Sequence, residues 1–211
     1  MVVGVVRRFK YPLGYYFTAS TMNSKRIEEI IIESIKIVEE AGYVVMGLTT
    51  DQGSNMEKTF RYLGVTVEKP WFHIKDKSYY VLRDPPHLLK NARNFLSKKD
   101  ASISVPGKTG RASWDHVRAL QERDERNSLK YAPRLKKVHV DGLKFDRSMK
   151  VKFATTVLSR SVSVALDYMV ANGELKAPAL ATSEYCMRFN DIFDVLNSSS
   201  PRDKVVLRRP L

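Results

Sequence analysis

The chain has 211 residues, 43% of them hydrophobic and 28% charged, with a formal net charge of +13. This balance excludes a disordered chain, which lacks the apolar side chains to build a core. No apolar stretch approaches the roughly 20 residues that a membrane-spanning helix needs.

In chain order, Val2–Val6 and Gly14–Thr18 are rich in β-branched and aromatic residues and are predicted as short strands around a turn at Tyr11-Pro12-Leu13-Gly14. The Arg pair follows the first apolar run instead of preceding it, so this start is not expected to act as a signal peptide. Asn23 or Ser24 can cap a helix in which Ile27, Ile30, Ile31, Ile35, Val38 and Ala41 form one apolar stripe, and Gly42 closes it. Tyr43–Thr50 is then nearly all apolar and is predicted as a buried strand, which after an amphipathic helix indicates an α/β sheet with a parallel element. A short helix is expected to Leu63, with Gly64 behind it. Trp71–Ile74 and Tyr79–Arg83 flank a turn at residues 75–78, and Asp84-Pro85-Pro86 stops the second strand, since proline offers no donor to a ladder. His87–Leu96 resumes as a helix.

The texture changes beyond that point. Residues 97–112 are polar and rich in Ser, Lys and Gly, as a loop or boundary would be. The remainder is predicted to be helical: one helix around Trp114, Val117 and Leu120, a long one from Met149 to Asn172, and a third capped by Thr182. The fold class is therefore α/β, a mixed sheet with flanking helices followed by a mainly helical part, with domains expected at residues 1–96 and 97–211. Residues 86–150 hold 16 basic against 7 acidic side chains, most of the excess charge. Concentrated positive charge suits a polyanionic partner such as DNA, although it also serves as a solubilising surface.

Three groups of residues could carry chemistry. Asp51 ends the predicted buried strand beside Gly53, at the sheet edge where ligand and metal sites gather, and a carboxylate there can bind Mg²⁺; it could equally cap the next helix. Asp84 and His87 form a second group, suited to a metal-dependent nuclease if they converge with Asp51, or to an ordinary turn. Lys150, Ser159, Asn190, Asp194 and Asn197 are polar positions on segments otherwise suited to a core. The last three are spaced i, i+4, i+7 on one helical face, which could read a base edge or simply face solvent. One cysteine, Cys186, excludes an internal disulfide and fits a reducing compartment. With four scattered histidines it offers no zinc ligand pair, and Gly-X-Ser-X-Gly and Walker A patterns are absent.

Four stretches occur in an order that resembles the P-element transposase family, which includes transposase-derived THAP-domain proteins. They are Asp51-Gln52-Gly53-Ser54-Asn55, Asp84 to Asn91, Met149-Lys150-Val151 with Leu158-Ser159, and Asn190 to Ser198. The resemblance implies a partial RNase H-like catalytic domain followed by a GTP-binding insertion domain. It implies DNA cleavage and transfer by three acidic residues with Mg²⁺, GTP as a bound cofactor, possible self-association, and a nuclear location. Asp51 matches the second catalytic and metal-binding acid. Lys150, Val151, Ser159, Asn190, Phe193, Asp194 and Asn197 match nucleotide-binding positions, Lys150 neutralising phosphate, Phe193 packing on the base and Asp194 accepting from the guanine edge. The first and third acids have no match here, so the chain alone is expected to be inactive; the alternative is a domesticated DNA- or protein-binding module without catalysis.

Overall fold

The computed structural model describes residues 1–7, 9–98, 101–141, 148–198 and 206–208. It divides into two compact units, Met1–Asp84 and Pro85–Leu211. The division falls one helix before the 96/97 boundary expected from the sequence. The reason is packing: helix α3 (Pro85–Leu96) buries Leu89, Ala92 and Leu96 in the core of the second unit.

In the first unit, β1 (Val2–Val3) pairs antiparallel with β2 (Lys10–Tyr11). Helix α1 spans Ser24–Glu40 and is capped by Asn23, whose Oδ1 accepts from the Lys25 N–H at 2.9 Å. It ends as the glycine predicts, with Gly42 at φ +87° and its N–H donating to the Glu39 carbonyl. Strand β3 (Gly47–Thr50) runs parallel to β5 (Lys77–Arg83), which pairs antiparallel with β4 (Trp71–Ile74), giving the order β3-β5-β4. Helix α2 (Ser54–Tyr62) follows β3, and its Thr59 hydroxyl donates to the Ser24 carbonyl at 2.9 Å, tying it to the start of α1. Ile31, Ile35, Phe60, Val65, Phe72, Tyr79 and Val81 form this unit's core.

Two expectations fail here. The strand predicted over Tyr43–Thr50 is four residues long, and Tyr43, Val44 and Met46 are exposed. Only Gly47 to Thr50 find register partners, Tyr80 to Arg83 of β5. Gly47 sits so close to β5 that a Cβ there would collide with the Tyr80 carbonyl oxygen. Gly14–Thr18 is not a strand, because β1 pairs with residues 10–11 instead.

In the second unit, the polar stretch after α3 contains a small hairpin, β6 (Ile103–Ser104) with β7 (Arg111–Ala112). Helices α4 (Trp114–Arg126), α5 (Lys137–Val140), α6 (Val151–Val157), α7 (Arg160–Ala171) and α8 (Ala179–Leu196) follow, then a 3₁₀ turn at Val206–Arg208. Leu96, Ala112, Val117, Leu120, Val157 and Leu166 lie at the centre of one core that draws on α3, β7, α4, α6 and α7. No helix among the described residues is long and apolar enough to cross a membrane.

The long helix predicted from Met149 to Asn172 is two helices. Ser159 stands at φ −133°, ψ 153° and caps α7 by accepting from the Val162 N–H at 3.3 Å, while its hydroxyl donates to the Thr156 carbonyl at 2.9 Å. A serine that satisfies both helix ends makes the break cheap, and Leu158 at the corner is buried. Thr182 does not cap α8, which starts after Pro178. It is fully buried inside that helix, where Oγ1 accepts from the Ser113 N–H at 3.0 Å and shares a 2.7 Å hydrogen bond with His116 Nδ1.

Asp124, 2% exposed on α4, clamps the following loop. Its two oxygens accept from the Tyr131 N–H at 2.9 Å and the Ala132 N–H at 2.7 Å, and Arg123 beside it stacks 3.4 Å from the Tyr131 ring centroid. Asp124→Ala strands two backbone donors and is expected to lower unfolding free energy by about 3 kcal/mol in urea titration, with Asp124→Asn costing less. Burial lowers the pKa of His116, and also that of His139, where Lys136, Lys152 and Arg93 push the same way. Both histidines therefore bind protons more readily in the unfolded chain, so their contribution is complete above about pH 6.5 and is lost as pH falls towards their folded values. Thermal melting between about pH 7 and 5 should fall less steeply in a His116→Gln/His139→Gln variant than in the parent.

Candidate functional site

Asp51 lies one residue beyond β3, and Asp84 one residue beyond β5. Thr50 and Arg83, the last residues of those strands, are register partners, and the Asp84 N–H donates to the Thr50 carbonyl at 2.8 Å. Parallel pairing thus brings the two acids out at one sheet edge. Asp51 is exposed, and its Oδ1 accepts from the Gly53 N–H at 3.1 Å, so it shapes the turn into α2. The α2 N-cap itself is Gly53, without a side-chain hydrogen bond. Arg83 closes the edge: Nη2 donates to Glu57 Oε2 at 2.8 Å, and the guanidinium lies over Phe60 at 4.9 Å. Among the described residues no group of three or more His, Cys, Asp or Glu is placed to hold a metal. Mg²⁺ prefers several oxygen ligands, so these residues do not by themselves make its site. His87 lies in the first turn of α3, half-buried, in the other unit.

The second unit assembles part of the predicted nucleotide set. Asn190 and Asp194 sit one turn apart on α8, and Asn190 Oδ1 accepts from the Arg160 N–H at 3.3 Å, directly behind the Ser159 cap. Asn190 Nδ2 reaches Asp191 Oδ1 at 3.1 Å and Asp194 Oδ2 at 3.4 Å. Asp194 is only 6% exposed, while its α8 neighbours Ile192, Val195 and Leu196 are 44–49% exposed. This helix end is inside out: the carboxylate faces in and the aliphatic side chains face water. Phe193 packs on the edge of the core, and Asn197 is the C-cap.

Lys150 and Val151 stand apart from this group. Lys150 is the exposed N-cap of α6, its Nζ 5.7 Å from the Phe153 ring centroid, and Val151 is the first residue of that helix. Among the described residues no hydrogen bond or ion pair joins either of them to Asn190 or Asp194. Near Lys150, Arg93 is fully buried and donates from Nη2 to the Ser148 carbonyl at 2.9 Å, and His139 meets Phe153 edge-on at 4.8 Å.

Sequence reasoning missed the main partner of Asp194. Arg208 Nε donates to Asp194 Oδ1 at 2.8 Å, and the Val206–Arg208 turn packs against α8. Nothing in the spacing marks Arg208, fourteen positions downstream of Asp194, since the contact depends on how the chain returns after the helix.

Residues 86–210 match the family described as TNP-like, GTP-binding insertion domain, and residues 1–64 match the TNP-like, RNase H N-terminal domain. The chain is similar to the transposable element P transposase of Drosophila melanogaster, 23% identical over 204 residues, which cover 94% of this chain and 25% of that protein. It is also similar to human DNA transposase THAP9, 26% identical over 216 residues, covering 94% of this chain and 22% of that one. Among solved structures, the Drosophila P element transposase strand transfer complex shares the fold, with a TM-score of 0.72 at 23% identity over 89% of this chain and 41% of that chain. The chain thus spans about a quarter of the length of these curated relatives.

Proposed function

The chain belongs to the TNP-like, P-element-type transposase family and carries that family's GTP-binding insertion domain, and on that premise we propose that its second unit binds a guanine nucleotide through Asp194 and that the chain serves DNA transposition. The observation that carries the reading is the buried Asp194 carboxylate beside Asn190 on the inverted end of α8. A guanine presents two neighbouring N–H groups on one edge, and a carboxylate with two accepting oxygens is their strongest complement. Adenine offers an acceptor where guanine has the first of those donors, so the same carboxylate discriminates against ATP. In this reading Ser159 and Asn190 shape the pocket, Phe193 supports the base and Asn197 donates to its carbonyl. Lys150 and Val151, from the start of α6, would meet the phosphates only if the pocket extends to that helix.

For the first unit we assign Asp51 as one carboxylate of a Mg²⁺ site that other acids complete. The bound ion would stabilise charge on a transferring phosphoryl group, and this chain's part is to present one oxygen ligand from a rigid strand end. Without further acids the chain alone is inactive as a nuclease. DNA is the proposed partner of the 16 basic residues within 86–150, a charge excess suited to phosphate backbones and to work in the nucleus.

Thermal melting with GTP, ATP or neither, each with Mg²⁺, tests the nucleotide reading. GTP alone is expected to raise stability, by about 2.7 kcal/mol at a hundredfold excess over its dissociation constant. Asp194→Ala should abolish the shift; an equal response to ATP, or none to GTP in a folded sample, would sink the reading. In a whole transposase carrying this sequence, Asp51→Asn is expected to abolish strand cleavage while leaving the GTP-dependent shift intact.

A further inference from the structure

We infer that Arg208 occupies the place on Asp194 that a guanine edge would take, so that a guanine nucleotide binds only as the Val206–Arg208 segment lets go. This rests on the guanine-nucleotide reading given above.

The chemistry of the two ligands is the same. An arginine side chain and the edge of guanine each present neighbouring, coplanar N–H donors, spaced to meet the two oxygens of one carboxylate. Arg208 Nε already donates to Asp194 Oδ1 at 2.8 Å, and the other oxygen, Oδ2, faces Asn190 Nδ2 at a long 3.4 Å. A base that needs both oxygens must take Oδ1 from Arg208, so the two occupants exclude each other.

Exposure shows which partner moves. The Asp194 side chain is 8% exposed on a long helix anchored in the core, whereas the Arg208 side chain is 46% exposed on a three-residue turn. With its cation half in water the pair is weaker than a fully buried one, so a ligand that satisfies the same carboxylate can replace it, which makes it a displaceable plug and not a permanent bond. The pair also removes a cost: without nucleotide, a buried carboxylate facing only a distant amide would be poorly satisfied, and Arg208 meets that need. Arg208 thus sets how tightly a guanine nucleotide can bind without belonging to the bound site. ATP gains nothing from the release, because an adenine edge cannot replace both donors.

The test is a titration of a fluorescent guanine nucleotide against the full chain as wild type, Arg208→Ala, Arg208→Lys and Asp194→Ala. Arg208→Ala is expected to tighten binding about three- to fivefold, the range for losing a half-exposed ion pair. Arg208→Lys should fall between it and the wild type, and Asp194→Ala should not bind. Alongside, trypsin cleavage after Arg208 in the wild type should speed up when GTP is added and not when ATP is added. Equal affinity of wild type and Arg208→Ala, or weaker binding by Arg208→Ala, would overturn the plug while leaving guanine-nucleotide binding standing. Protection of Arg208 from trypsin by GTP would do the same, by making Arg208 part of the bound site. Failure of every folded variant to bind the nucleotide would remove the nucleotide reading and this inference with it.

Discussion

The second unit depends on one helix being held on several sides by buried polar contacts. Near its start, Thr182 of α8 takes the Ser113 N–H and His116 at the beginning of α4. The next residue, Ser183, hydrogen-bonds the Ser163 hydroxyl of α7 at 2.8 Å and the Ser163 carbonyl at 3.0 Å. Tyr185 then donates across the core to the Ala92 carbonyl of α3 at 3.1 Å. Apolar packing alone would let α8 slide or rotate at small cost, but each of these hydrogen bonds is satisfied at only one register and rotation. Fixing the first two turns fixes the rest, because a helix is stiff over this length. Asn190 and Asp194 therefore arrive facing inward, behind the capped start of α7, whatever their own intrinsic preferences.

The same logic runs through the first unit with backbone in place of side chains. Parallel pairing of β3 with β5 sets Thr50 against Arg83, so the residues that follow, Asp51 and Asp84, leave the sheet side by side. Gly47 permits the close approach that starts this pairing, and Arg83, held by Glu57 and lying on Phe60, locks its end. The acid positions follow from the ladder, and a one-residue slip would turn the strand's side chains to opposite faces and move Asp51 away from its neighbour.

Local signals in the sequence were legible wherever the chain itself satisfies them. Asn23, Gly42 and Gly64 mark boundaries that need only adjacent residues, and the structure places α1 and α2 there. The β4–β5 hairpin also forms, but its turn is residues 75–76, because Lys77 and Ser78, read as turn, pair with Ile74 and His73. The misreadings share a different cause. Tyr43–Thr50 reads as one strand, yet only Gly47–Thr50 join the ladder with β5, and the apolar Tyr43, Val44 and Met46 before them are exposed. Met149–Asn172 reads as one helix, since its apolar pattern runs through Ser159, whose cap turns the chain. Thr182 has the composition of a cap but spends its hydroxyl on α4. Of the site, the Asn190–Asp194 face was visible as spacing, and its inward direction was not. Periodicity fixes which residues share a face; packing against α3, α4 and α7 decides where that face points.

Packing also changes what the net charge means. Of the cations in residues 86–150, Lys90 and Arg93 are 7% and 0% exposed. Arg123 is stacked on Tyr131 and paired with Glu174 at 3.1 Å, so it braces a loop. On the surface of α4, Arg118 and Arg126 sit within reach of Asp115 and Glu122, at 2.8 Å and 3.8 Å. Each of these contributes to the long-range field that draws in a polyanion, since that field counts charge wherever it lies. Lys90, Arg93 and Arg123 cannot release a counterion by direct phosphate contact without breaking something in the fold, whereas the exposed pairs of Arg118 and Arg126 are weak enough to be exchanged, and the salt dependence of binding counts only direct contacts. The exposed cations outside these pairs, among them Lys98, Arg111, Lys130, Arg134 and Lys136, remain to make them. The basic segment therefore lends its full charge to the long-range field but only part of it to direct contact, so a count of Lys and Arg overstates the number of phosphates its surface could meet.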